Sequence, residues 1–205
     1  MCGIAGFVGR GGIADVQRTN AALAQRGPDD DGTCIWLGPG LKLLLDHVLT
    51  VDALGIIQHL EPASGFFNKR VAVEQEFIVL GEHEFLCPGF IDLHIHAPQF
   101  SYAGTATDRP LMGPDGWLET YTFPAERRLG EDLHHAKSVY DAVVRAALKN
   151  GTTTAVYFAT LDAQPCKILV DSALSLGQRA LIGKVCMDRN SPEGYCQTLE
   201  QNVVG

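Results

Sequence analysis

Two histidines separated by one residue, His94 and His96, close the run Pro88-Gly89-Phe90-Ile91-Asp92-Leu93-His94-Ile95-His96. The run predicts a strand over 90–97. Alternate residues of a strand share a face, so Asp92, His94 and His96 point one way. Ile91, Leu93 and Ile95 point the other way, into an apolar layer that helices could cover. Two neutral imidazoles on one face can bind a single metal ion through their ring nitrogens. The same pair is also compatible with histidines held in a core or exposed without a ligand. Asp92 reads as a structural hydrogen-bonding group rather than a ligand.

The elements that would position this pair follow it in the chain. Asp132–Lys149 predicts a helix whose buried face carries Leu133, Val139, Val143, Ala146 and Ala147, closed by Asn150-Gly151 where the backbone must turn left-handed. Thr152–Ala159 predicts a strand rich in β-favouring residues. Ile168–Leu176 predicts a second helix, ended by Gly177, and Ala180–Met187 a further strand. Strand, helix, strand, helix, strand is the pattern of parallel βαβ units. The fold class expected is α/β: a partial TIM-like β/α barrel of about three strand-helix units, preceded by an incomplete small β domain. In such a barrel the C-terminal ends of the strands carry the active site, which is where His94 and His96 fall.

Ahead of that region the chain has a different rhythm. Leu43–Val51 and Ile56–Leu60 predict strands flanking the hairpin loop Asp52-Ala53-Leu54-Gly55, and Glu76–Leu80 another strand. Ile4–Val8 predicts a short strand, Ile13–Gln25 a helix, and Arg26–Gly32 a turn cluster. The expected division is 1–40, 41–86 and 87–205. Residues 100–130 read as a long connection that could act as a lid. Its Trp117, Tyr121 and Phe123 could either cover a flat ligand or pack against the rim. Glu126 could support the site from behind its ligands, but reads more readily as a solvated charge.

The strand motif resembles the first barrel strand of the amidohydrolase superfamily. Four further segments, in family order, resemble the guanine deaminase family: His96-Ala97-Pro98-Gln99, Trp117–Glu126, Lys149–Ala155 and Gly183–Asp188. The resemblance runs from about residue 43 to about residue 190. It implies one zinc ion at the barrel mouth with His94 and His96 as two of its ligands, a guanine pocket lined by His96, Ala97, Pro98 and Gln99, and hydrolysis of guanine to xanthine and ammonia in purine catabolism. Gln99 would hydrogen-bond the purine edge, since an amide both donates and accepts. The family mechanism also needs later histidines and an aspartate. His47, His59, His83, His134 and His135 do not follow later strands, so the expectation is a truncated barrel without deaminase activity of its own.

The opening Met1-Cys2-Gly3-Ile4-Ala5-Gly6-Phe7-Val8-Gly9 and the segment Arg26-Gly27-Pro28-Asp29-Asp30-Asp31-Gly32 resemble a different family, the class II glutamine amidotransferases. That resemblance implies Cys2 as an alternative nucleophile. Gln25 stands where the family usually has a histidine. The alternatives to a zinc hydrolase are therefore an amidotransferase fragment or a noncatalytic fusion fragment.

Composition narrows the partners. A net charge of −8 over 205 residues provides no basic stripe for nucleic acid. No apolar run approaches the roughly 18 residues of a membrane span, and no signal peptide is read at the start. The six cysteines form no CxxC pair and read as reduced thiols of a cytoplasmic protein. A small purine is the expected ligand, and a homo-oligomer is a compatible assembly.

Overall fold

The structure is a computed structural model that describes residues 4–6, 33–36, 41–44, 46–69, 78–80 and 84–204. Cys2, His83, the helix expected over Ile13–Gln25 and the turn at Arg26–Gly32 lie outside the described residues. The chain divides into two compact units, Met1–Phe90 and Ile91–Gly205.

The described part of the first unit is made of antiparallel pairs. β1 (Ile4–Gly6) pairs with β6 (Leu86–Pro88), β2 (Thr33–Trp36) with β3 (Leu41–Leu44), and β4 (His47–Val51) with β5 (Ile57–Pro62). The expected single strand over Leu43–Val51 is two strands, because Asp46 turns the backbone left-handed at φ 48° between them. The hairpin at 52–55 is present. Asp52 Oδ1 accepts the backbone N–H groups of Leu54 and Ile56, both at 2.9 Å, and Gly55 takes φ 78°. A carboxylate that satisfies turn amides is the mechanism by which Asp nucleates such loops. A short helix, α1 (Ala63–Lys69), follows β5 and was not expected. Ile78–Leu80, the described part of the strand expected at Glu76–Leu80, is irregular.

The second unit has a sheet of order β7-β8-β9, formed by β7 (Phe90–His96), β8 (Thr152–Phe158) and β9 (Arg179–Gly183). β8 and β9 run parallel, in a register that places Ala155 beside Ala180 and Phe158 beside Gly183. The mixed α/β class with parallel pairing thus matches expectation. Three strands leave two sheet edges, β7 and β9, among the described residues. No helix among them is long and apolar enough to cross a membrane.

Between the strands, α3 (Leu133–Lys149) presents Ala136, Val139, Tyr140, Val143 and Val144 to the core, at the spacing that one helical face requires. Asp132 caps it, accepting the His135 N–H at 2.9 Å. α4 (Ala163–Leu176) begins five residues before the expected Ile168. Pro165 stands in its first turn, where a missing N–H costs nothing, so it initiates the helix rather than excluding it. Gly177, at φ 75°, ends it. β9 stops at Gly183 instead of continuing to Met187, and the chain then leaves the sheet, with the Val185 N–H bonded to the Thr160 carbonyl.

Two further expectations are corrected. The connection at 100–130 is not all loop: it carries the end of a 3-10 helix over Ala97–Tyr102, a π-helical turn over Leu118–Thr122 and α2 (Phe123–Glu131). The apolar face of β7 is only partly covered. Ile95 packs against the core, whereas Ile91 and Leu93 are 66% and 68% exposed.

Candidate functional site

β7 delivers the chemistry that its alternation promises. Asp92 is taken up by its own strand: its Oδ1 accepts the His94 backbone N–H at 2.9 Å. The two imidazoles converge. His94 Nε2 and His96 Nε2 lie 3.2 Å apart, with ring centroids separated by 5.1 Å and planes inclined by 53°. His94 is exposed and His96 half-buried. Burial, followed by the neighbouring His94, lowers the His96 pKa from its ordinary value. That keeps a lone pair available on a neutral ring.

The spacing of the nitrogens is a test of whether they fit a metal. Two bonds of about 2.0–2.1 Å, meeting at a tetrahedral angle, place ligand nitrogens about 3.4 Å apart. The observed 3.2 Å is close to that separation and is equally the length of a ring-to-ring hydrogen bond, so the spacing is compatible with a zinc-sized ion as two ligands of a larger set. Among the described residues no group of three or more histidine, cysteine, aspartate or glutamate side chains gathers around one point. Within the second unit, His134 and His135 sit in the first turn of α3 and form no ligand set with the pair; His47 and His59 lie on β4 and β5 of the first unit.

A residue not singled out from the sequence joins the site. Phe158, at the end of β8, has its ring centroid 4.6 Å from that of His94 and 5.0 Å from that of His96, with planes inclined by 35° and 19°. Its place at a strand end was legible. The register that sets it beside the histidines was not.

Beyond His96 the chain turns into the 3-10 helix, with Pro98 in its first turn. Ala97 and Pro98 are buried and Gln99 is half-buried. The three aromatic residues of the following connection pack against neighbouring tyrosines. Trp117 Nε1 donates to the Thr105 carbonyl at 2.8 Å, and its ring lies 5.3 Å from Tyr102. Tyr121 stands 6.1 Å from Tyr102 and has the Arg109 guanidinium 6.0 Å above its ring. Phe123 lies 4.7 Å from Tyr195.

Glu126 is a correction. It was expected to be solvated, yet it is 4% exposed and accepts a hydrogen bond from the Tyr195 hydroxyl. Burial pushes its carboxyl up to about 7, against the opposing effect of that hydrogen bond. Burial also raises the Tyr102 phenol to about 12 and the Tyr195 phenol above the usual range. The signal was available in the spacing: Thr122, Glu126 and Leu129 form one stripe of α2 and the turn before it, and all three are buried.

Residues 85–204 match the Amidohydrolase family. The chain belongs to that family. As an amidohydrolase it is similar to guanine deaminase of Dictyostelium discoideum, 42% identical over 176 residues, covering 80% of this chain and 38% of the relative. It is likewise similar to guanine deaminase of Homo sapiens, 45% identical over 175 residues, covering 82% of this chain and 37% of the relative. Among solved structures it resembles the guanine deaminase from C. acetobutylicum with bound guanine in the active site. The TM-score is 0.65 at 25% identity, over 84% of this amidohydrolase chain and 39% of the other. The chain therefore spans well under half the length of the relatives it matches. The findings bear on the amidohydrolase region and give no support to the amidotransferase resemblance of the opening residues.

Proposed function

We propose that this amidohydrolase carries the first part of a guanine deaminase site: His94 and His96 as two ligands of one zinc ion, and His96, Ala97, Pro98 and Gln99 as a wall of the guanine pocket. The observation that carries the reading is the convergence of the two Nε2 atoms at 3.2 Å, at the C-terminal end of β7. Support comes from the identity to guanine deaminases across this region. The reaction is hydrolysis of guanine to xanthine and ammonia, in the cytoplasm, on the free base.

Bound zinc would supply Lewis acidity and activate water near neutral pH. The chain's own residues do the rest of what this region contributes. β7 holds the imidazoles on one face. Burial favours the neutral form of His96. Gln99 offers an amide donor and acceptor to the purine edge. Two imidazoles are fewer than the three protein ligands usual for catalytic zinc, and among the described residues no third histidine, cysteine, aspartate or glutamate joins them. In the same reading, 87–205 is part of a β/α barrel, 41–86 a small β region, and 1–40 a separate N-terminal segment.

A chimera tests the proposal. Residues 85–204 replace the matching part of the Dictyostelium discoideum guanine deaminase. Xanthine formation that survives the exchange and disappears on His94→Ala or His96→Ala supports the reading. A folded, zinc-loaded chimera that forms no xanthine, or activity indifferent to both histidines, contradicts it.

A further inference from the structure

We propose that Phe158 is a positioning residue for the imidazole pair: its ring packs against both His94 and His96 and holds their Nε2 atoms turned toward a common point. The inference rests on the metal-binding reading above and adds to it the group that orders the ligands.

The need for such a group follows from the histidines themselves. A ligating histidine is usually oriented by a hydrogen bond from its second ring nitrogen to a carboxylate or carbonyl. Here the one carboxylate on the same face of β7, that of Asp92, is occupied by the His94 backbone N–H. The hydrogen-bond partner that each ring has among the described residues is the other ring. The ring torsion of histidine is broad and poorly defined by itself. That bond joins the two Nε2 atoms that a metal would take, so once a metal replaces it packing must supply the orientation.

Phe158 is placed to supply it. It lies 4.6 Å from one imidazole and 5.0 Å from the other, nearly parallel to His96 at 19°. On its other flank its register partner is Gly183, which has no side chain to compete for the same face. The phenyl ring therefore has room to lie against β7. Offset stacking of aromatic rings is worth about 0.5–1.5 kcal/mol beyond the area it buries. Metal binding withdraws electrons from an imidazole, which makes it a better partner for the electron-rich face of Phe158. The contact thus favours the ligated form of the pair.

The experiment uses the full 205-residue chain and three variants, Phe158→Leu, Phe158→Tyr and His94→Ala. NMR of the metal-free protein reads the imidazole proton shifts of His94 and His96, and a cobalt(II) titration reads affinity. The wild type shows ring-current shifts at both histidines. Phe158→Leu loses them and binds cobalt about tenfold more weakly, the usual scale for removing a group that orients ligands. Phe158→Tyr restores both. Unchanged imidazole shifts in a folded Phe158→Leu protein overturn the proposal, as does equal cobalt affinity alongside His94-dependent binding. Cobalt binding indifferent to His94→Ala sinks the metal reading, while the imidazole shifts still decide whether Phe158 orders the pair.

Discussion

Glu126 on α2 and Tyr195 in the segment after β9, separated by 69 residues of sequence, are joined by a buried hydrogen bond from phenol to carboxylate. Tyr195 is 2% exposed and Glu126 4%. Burial, with a smaller effect from the Glu126 carboxyl, also raises the phenols of Tyr102 in the 3-10 helix and Tyr140 in α3. The bond ties the segment beyond the sheet to the helices that pack beside it.

A pH dependence of stability follows from this pair. Burial raises the folded carboxyl to about 7, from an unperturbed 4.5. Between those values the folded state holds a proton that the unfolded state has released. The contribution is therefore fully present below about 4.5 and is lost as pH rises to about 7. At about 1.4 kcal/mol per pH unit, its ceiling is on the order of 3 kcal/mol. Urea unfolding at a series of pH values should show wild-type stability declining over this window relative to Glu126→Gln, which cannot ionise. Parallel curves for the two proteins would contradict the assignment.

Gln178 is the second buried tie. It accepts from the Tyr157 hydroxyl at 2.9 Å and donates to the Thr152 carbonyl at 3.0 Å, fastening the start of β9 to β8. Gln178→Ala strands both groups in the interior, where each unsatisfied partner costs about 1–3 kcal/mol. A loss of about 2–4 kcal/mol is expected from denaturant unfolding. Tyr157→Phe, which removes one bond and keeps the ring, should cost less. A Tyr157→Phe variant as stable as the wild type would show that the Tyr157 bond contributes nothing and would contradict the assignment.

At Gly177 the cost of substitution is conformational. Its φ of 75° lies in the left-handed region, and an added Cβ would meet nothing within 4 Å. Gly177→Ala should destabilise by about 1 kcal/mol, with Gly177→Asn in between, because Asn tolerates that region better than Ala. A thermal melt ranks the three. An Ala variant as stable as the wild type would mean that the turn relaxes.

Much of the second unit was legible because period and punctuation agree there. The β7 alternation, the Asp132 cap, the Asn150-Gly151 stop and the Gly177 stop all mark elements that the structure contains. What stayed hidden depends on contacts between distant residues. Phe158 reaches the histidines only through strand register. Glu126 was read as a solvated charge because its residue type outweighed its place in a buried stripe. The first turn of α4, Ala163 to Lys167, lay outside the expected helix, although a first-turn proline such as Pro165 is compatible with one. The break at Asp46 lies in a single positive φ that no hydrophobic pattern signals.

The central claim is that His94 and His96 act on one cation together, and an imidazole-resolved nitrogen NMR titration with zinc tests it most directly. The account predicts that both Nε2 resonances move with a single shared dissociation constant and that His94→Ala or His96→Ala weakens the response of the remaining ring. Rings that titrate independently, that respond through Nδ1, or that stay still at saturating zinc would contradict it.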